Sequence, residues 1–216
     1  MPDMRPTRER VAAAARKLAA DGLVLGTSGN VSAREGDLVA VTPTGARLED
    51  LRPEQVAVVD LAGTHVEGEL AATSELELHL GVYERYDAGA VVHTHAPMAT
   101  ALACVVDELP VVHYGLLALG GPVRVAPFHA FGTPELAAAT LDALDGRAAA
   151  LMANHGAIAH GADLDGALAQ TELLEWGCAL YWRAAAIGTP RGLDAGQQEA
   201  VIQAAIARNY GATQEA

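Results

Sequence analysis

Two histidines separated by one residue occur in the segment VVHTHAP at 91–97. In an extended strand the side chains at i and i+2 point to one face, so His93 and His95 present two imidazoles side by side, a natural pair of metal ligands. The same spacing also describes two hydrogen-bonded surface histidines, and a metal centre needs a further ligand. His155 is the best candidate. It follows the apolar run at 148–152 and sits in Asn154-His155-Gly156, a turn from which a side chain can project at a sheet edge. Taken alone, it reads equally as a turn residue capping a strand. The other histidines are weaker candidates: His65 and His160 fall in polar or glycine-rich loops, His79 in mid-helix, and His113 and His129 beside other strands.

Thr73-Ser74-Glu75 places two hydroxyls and a carboxylate at the start of a helix. Helix-start amides with hydroxyls form an anion site, and a glutamate beside a metal can be ligand, general base or both. The structural alternative is an N-cap with an acidic residue in the first turn. GTSGN at 26–30 and TPTG at 42–45 are two more loops of small polar residues, suited to an anion and equally to ordinary turn chemistry.

These residues need elements to hold them. Residues 7–20 read as an amphipathic helix with Thr7 as N-cap, 31–34 and 38–42 as a hairpin, and 56–61 as a further strand. A helix over 74–86, a strand over 90–95, a short helix over 97–106 and strands over 110–113 and 123–126 follow. Thr133-Pro134-Glu135 then starts a helix, 148–152 is a buried strand, 164–186 the longest helix and 196–208 the last. Alternation of strands and helices, with hairpins among them, predicts a layered α/β fold with a mixed sheet, and the absence of repeats or linkers predicts one domain over 1–216.

The 216 residues are ample for a packed core. The formal charge of −13 and the lack of any basic run exclude a nucleic-acid binder that works by neutralising phosphates. Cys104 and Cys178 are far apart, fit neither a disulfide framework nor a thiolate cluster, and read as buried small hydrophobes. MPDMRPTRER has no apolar signal core, and no run approaches the roughly 18 apolar residues of a membrane span, so the expectation is a cytoplasmic protein with no membrane partner. Of the basic residues only Lys17 is a lysine.

In this order, GTSGNVSAR, TPTG, TSE, HTHAP, VVHYG, FGTPEL and NHG resemble the class II aldolase/adducin family, and most of all its branch acting on L-fuculose 1-phosphate. The resemblance runs from the first helix to Tyr210. It implies a three-layer α/β/α sandwich with a mixed, largely antiparallel sheet, a zinc site and a homotetramer with active sites at subunit interfaces. It further implies that His93, His95 and His155 bind the metal and that Glu75 binds it and then serves as base. Ser28, Gly29, Asn30, Thr44, Gly45, Thr73 and Ser74 would hold the phosphate of a sugar-phosphate substrate; the family usually has two serines in place of Thr73-Ser74, a change that keeps a hydroxyl. Tyr114 would transfer a proton at the aldehyde oxygen, and Tyr210 would help close the site.

The implied reaction cleaves a ketose 1-phosphate, nominally L-fuculose 1-phosphate, to dihydroxyacetone phosphate and L-lactaldehyde. Breaking the C3–C4 bond leaves a carbanion beside a carbonyl, which needs a lysine iminium or a metal-stabilised enediolate as electron sink. Lys17, in the first helix and far from every motif, is a poor iminium former, so the metal route is favoured. Zinc is the expected ion, with manganese or cobalt compatible with the same donors. The alternatives are a pentulose 5-phosphate 4-epimerase, whose branch usually has Asp where this chain has Glu75, an aldolase for a 5-deoxypentulose or methylthio-ribulose 1-phosphate, and a non-catalytic adducin-like module.

Overall fold

The computed structural model describes residues 2–208; Tyr210 lies outside them. Nine strands form one sheet: β1 (Asn30–Glu35), β2 (Leu38–Val41), β3 (Ala57–Asp60), β4 (His65–Glu67), β5 (Ala90–Thr94), β6 (Glu108–Leu109), β7 (Val123–Ala126), β8 (Ala149–Met152) and β9 (Gly156–Gly161). Their order across the sheet is β4-β3-β2-β1-β5-β9-β8-β7-β6. Every neighbouring pair is antiparallel except β7 with β8.

Both faces of this sheet are covered, and the strands show it residue by residue. Leu38, Ala40, Val92, Leu151 and Ala159 point into one core, while Val39, Val41, Val91, Met152 and Ile158 point into the other. That is the alternation a pleated strand imposes when neither side meets water. The first core is roofed by α1 (Arg5–Ala20), α3 (Pro97–Ala103) and α5 (Leu164–Ile187), through residues such as Val11, Leu18, Leu102 and Leu174. The second is roofed by α2 (Leu76–Arg85) and α4 (Pro134–Ala143), through Leu78, Val82, Leu136 and Ala137. Each fully buried leucine or valine contributes about 1.5–3 kcal/mol relative to exposure. The result is the expected three-layer α/β/α sandwich with a mixed, largely antiparallel sheet. A last helix, α6 (Ala195–Arg208), has no buried residue. No described helix is long and apolar enough to cross a membrane.

Several elements differ from the reading of the sequence. The first helix begins at Arg5, with Met4 at the N-cap and Thr7 buried inside it, because Pro6 sits comfortably in a first turn. The strand expected over 110–113 is instead Glu108–Leu109: Pro110 has no N–H to continue the ladder, and the Val112 N–H turns back to the Pro110 carbonyl. Residues 114–119 wind into a 3₁₀ turn, Tyr114–Leu119. β9, whose His155-Gly156 start and His160 the sequence places in turn and loop, is a central strand between β5 and β8. Cys178 is buried as expected, whereas Cys104, just past α3, is exposed.

Candidate metal centre

β5 lies between β1 and β9, with His93 opposite Asn30 on one side and Ile158 on the other. His93 is fully buried on the α2 side of the sheet, and its Nδ1–H donates to the Ala157 carbonyl at 2.9 Å. That bond leaves the Nε2 lone pair free, aimed away from the strand. His95 follows beyond the strand end on the same side, its Nε2 3.2 Å from that of His93. His155 arrives from the tight turn joining β8 to β9. There Asn154 has φ 54°, the one left-handed non-glycine among the described residues, a conformation asparagine tolerates better than most. The three rings meet edge-on, with centroids 4.9–5.0 Å apart, and their ligand atoms all lie within 4.8 Å of one another.

Glu75 completes the cluster. It is the residue before α2, and its side chain does not cap the helix. Instead it turns inward, held by a backbone segment tied to β2: the Thr73 N–H donates to the Thr42 carbonyl and the Thr44 N–H to the Ala71 carbonyl, both at 3.1 Å. Glu75 Oε2 lies 3.2 Å from His93 Nε2, and Oε1 3.5 Å from His155 Nε2. Oε2 accepts from Asn30 Nδ2 at 2.8 Å, while Oε1 is buried without a hydrogen-bond partner.

Burial pushes His95 down to about 4, aided by His93 and His155, and also lowers His155. Burial alone would raise the Glu75 carboxyl, but the field of His93, the Asn30 hydrogen bond and His155 outweigh it, so Glu75 ionises below its ordinary range. His95 and His155, kept neutral by burial, therefore converge with His93 Nε2 on an ionised carboxylate whose Oε1 lacks a donor. A tetrahedral zinc with bonds of about 2.0–2.1 Å needs its ligands about 3.3 Å apart. The spacing of the His93 and His95 nitrogens fits, and so does the chemistry of the donor set.

Glu75, His95 and His155 of the cluster line an open cavity of about 690 Å³, with His93 buried behind them. All seven residues expected to hold phosphate line it, on the segments Ser28-Gly29-Asn30, Thr44-Gly45 and Thr73-Ser74, together with Glu75, His95 and His155. Among the described residues no lysine or arginine does. Tyr114 is not among the lining residues; it stacks on His113, whose ring meets Trp176 edge-on. Lys17 is elsewhere, paired with Asp21 and Glu172, which raise its pKa, the wrong direction for an amine nucleophile.

Sequence reasoning assigned no role to Phe128, His129 and Phe131, which also line the cavity. Phe131 belongs to the FGTPEL segment, which was the available signal. It also set aside His79, which the structure places in full burial, hydrogen-bonded to Asn30. Its position four residues after Glu75, on the same helical face, was the signal there.

Residues 9–182 match the family model described as Class II Aldolase and Adducin N-terminal domain. The 5-deoxy-D-ribulose 1-phosphate aldolase of Bacillus thuringiensis serovar kurstaki is 40% identical over 200 residues, covering 91% of this chain and 93% of the relative. The L-fuculose phosphate aldolase of Escherichia coli K12 is 38% identical over 183 residues, covering 84% and 85%. Among solved structures, an L-fuculose 1-phosphate aldolase superposes with a TM-score of 0.88 at 34% identity, covering 92% of this chain and 95% of the other. A histidine cluster at the end of β5, a carboxylate ahead of α2 and a match along most of the chain agree on one assignment: the chain belongs to the class II aldolase and adducin family, as a class II aldolase.

Proposed function

We propose that this protein reversibly cleaves a terminally deoxygenated ketose 1-phosphate between C3 and C4, giving dihydroxyacetone phosphate and a short aldehyde with a methyl end. L-Fuculose 1-phosphate would yield L-lactaldehyde, and 5-deoxyribulose 1-phosphate would yield acetaldehyde. The observation that carries the reading is the buried Glu75 carboxylate, with one free oxygen, set among three converging imidazoles on the wall of a cavity lined by small polar residues. The names of the relatives support the substrate class, and Phe128 and Phe131 offer apolar surface to a methyl end.

In this reading His93, His95 and His155 hold a divalent ion, zinc in the first instance, with Glu75 in reach. When bound, the ion supplies Lewis acidity at the donor's carbonyl, the electron sink this chemistry requires. Thr44, Thr73, Ser74 and the loop at 28–30 grip the phosphate with hydroxyls and amides. During cleavage Tyr114, as the phenolate, accepts the proton of the C4 hydroxyl and later releases it to solvent, so that the C4–O bond becomes the aldehyde carbonyl as the C3–C4 pair is released toward C2. Glu75, ionised at rest, takes up a proton from solvent and passes it to C3, completing dihydroxyacetone phosphate. Because Tyr114 lies outside the cavity of its own chain, it serves the site of a neighbouring copy in a homotetramer.

The test is a coupled assay for dihydroxyacetone phosphate release. L-fuculose 1-phosphate, 5-deoxyribulose 1-phosphate, 5-methylthioribulose 1-phosphate and L-ribulose 5-phosphate are each supplied, with and without a chelator. Release from a 1-phosphate, abolished by the chelator and restored by zinc, is expected. Conversion of L-ribulose 5-phosphate to xylulose 5-phosphate without triose release, or undiminished cleavage by metal-free protein, overturns the reading.

A further inference from the structure

Behind Glu75 runs a line of buried polar side chains, of which the proposed reaction uses only Asn30, in the phosphate loop. Asn30 and Ser32, two apart on β1, face α2, and His79 and Tyr83, four apart on α2, face β1. Two residues of strand advance about 6.8 Å and four of helix about 6 Å, so the pairs interleave. Tyr83 Oη lies 2.6 Å from Ser32 Oγ, Ser32 Oγ 2.7 Å from His79 Nδ1, His79 Nε2 bonds Asn30 Oδ1, and Asn30 Nδ2 reaches Glu75 Oε2 at 2.8 Å.

The direction of each bond follows from its end. An ionised carboxylate only accepts, so Asn30 presents its NH₂ to Glu75 and its carbonyl to His79. His79 must then donate from Nε2 and, being neutral, accept at Nδ1, which Ser32 supplies while taking a proton from Tyr83. Full burial holds His79 neutral, with its pKa pushed down to about 3. All four bonds thus point toward one oxygen of one carboxylate. A core histidine serving only packing has no need of such a chain, and burying four polar side chains costs about 1–3 kcal/mol each unless every partner is met.

We infer that His79 is a positioning residue for the aldol chemistry: as the neutral Nε2–H tautomer it fixes the Asn30 amide, which pins Oε2 of Glu75 and leaves Oε1 as the oxygen that exchanges protons with substrate. The inference rests on the reading of Glu75 as base. It requires no movement of protons along the chain, only its fixed polarity.

The readout is exchange of the C3 hydrogen of dihydroxyacetone phosphate with heavy water, alongside kcat and KM for cleavage, zinc per chain, and ¹⁵N NMR of the imidazoles in metal-free protein. His79→Phe keeps the ring shape and loses both hydrogen bonds. With the three histidine ligands intact it retains zinc, keeps KM within about threefold and lowers exchange and kcat about 10–100-fold. His79→Gln, whose amide N–H can still reach Asn30, recovers to within about fivefold of wild type. Ser32→Ala, which frees the ring to change tautomer, loses about 3–10-fold. The NMR spectrum shows His79 as the Nε2–H tautomer. Where Phe is not tolerated by the fold, His79→Gln, Ser32→Ala and the tautomer decide.

His79→Phe and Ser32→Ala exchanging within about twofold of wild type would overturn the inference. So would His79→Gln no better than His79→Phe, or an Nδ1–H tautomer. Glu75→Gln separates the two levels: if it abolishes exchange while the His79 and Ser32 variants do not, only the positioning role fails. If it leaves exchange intact, the role of Glu75 fails and takes the inference with it.

Discussion

Gly156→Ala is the sharpest test of how the backbone builds the histidine cluster. Gly156 opens β9 immediately after His155, where β9 crosses the end of β5. A Cβ there would lie 2.2 Å from the Thr94 carbonyl oxygen and 3.1 Å from His95 Cδ2, neither of them a flexible side-chain end. An ordinary C···O approach is about 3.3 Å, so the two strands must part by about 1 Å. Overpacking of this kind costs about 1–3 kcal/mol, and with the Thr94 backbone as the nearest obstacle the upper figure is expected. At about 3 kcal/mol, a chain of this size loses about 6–12 °C of thermal midpoint. The displaced groups are the two that carry His95 and His155, and metal sites tolerate only about 0.2 Å in ligand distance. Zinc affinity should therefore fall at least about tenfold, beyond what lost stability explains. Calorimetry gives the midpoint, and competition with a chromophoric chelator the affinity. Gly188→Ala is the control, since its backbone is extended at φ 166° and nothing lies within 4 Å of the added carbon. If Gly156→Ala binds zinc as wild type does and melts within about 2 °C of it, the close strand approach does not hold the cluster together.

Three further outcomes follow from other parts of the structure. Lys17→Met should leave cleavage unchanged and cost at most about 1 kcal/mol, since its two ion pairs are exposed; a tenfold loss of kcat would revive an iminium route. Asn154→Gly should melt as wild type does, whereas Asn154→Ala, forced to keep φ 54°, should lose about 1–2 kcal/mol in calorimetry, and equal melting of the two would refute the strain. His79 has a folded pKa of about 3 against an ordinary 6.5, so below about pH 6.5 the unfolded chain binds the extra proton. Stability, fully present above that pH, falls as pH drops toward 3, by about 2 kcal/mol at pH 5. Urea midpoints of metal-free protein at about pH 7.5 and 5 should show a loss larger by about 2 kcal/mol in wild type than in His79→Gln, because the lowered His95 and His155 contribute equally to both, and an equal loss in both would sink it.

The histidine cluster was legible because strand periodicity is local: the i, i+2 spacing of His93 and His95 needs only a strand, and the VVHT run supplies one. His155 was legible only as a turn residue near an apolar run. What escaped was β9, because Gly-Ala-Ile-Ala-His-Gly carries one large apolar side chain and is bounded by glycines, which read as punctuation. Gly156 answers to Thr94, a neighbour distant in sequence, and no local pattern encodes such a contact, while Gly161 meets the start of α5 at 163–167. His79 escaped for a related reason. On the α2 helix it looks like any mid-helix polar residue, and its partners Asn30 and Ser32 lie more than 40 residues away across the sheet.

The end of β5 is flanked by glycine on both edges, and this joins the two halves of the proposed site. On the β9 side Gly156 presses on Thr94; on the β1 side a Cβ at Gly29 would meet the His93 carbonyl oxygen at 2.9 Å and Val24 at 2.7 Å. Gly29 also has φ 81°, so any side chain there is strained twice. The loop proposed to hold phosphate is therefore packed backbone to backbone against the strand proposed to hold the ion, with no side chain between to absorb a shift. With no lysine or arginine among its described lining residues, the cavity would hold a phosphate by amides and hydroxyls, whose strength depends on fixed direction rather than on charge. Rigidity would then substitute for basic residues. In this way a chain of net charge −13 could hold a small anion beside a carboxylate, since fields within a site of fixed dipoles outweigh screened charges a Debye length away.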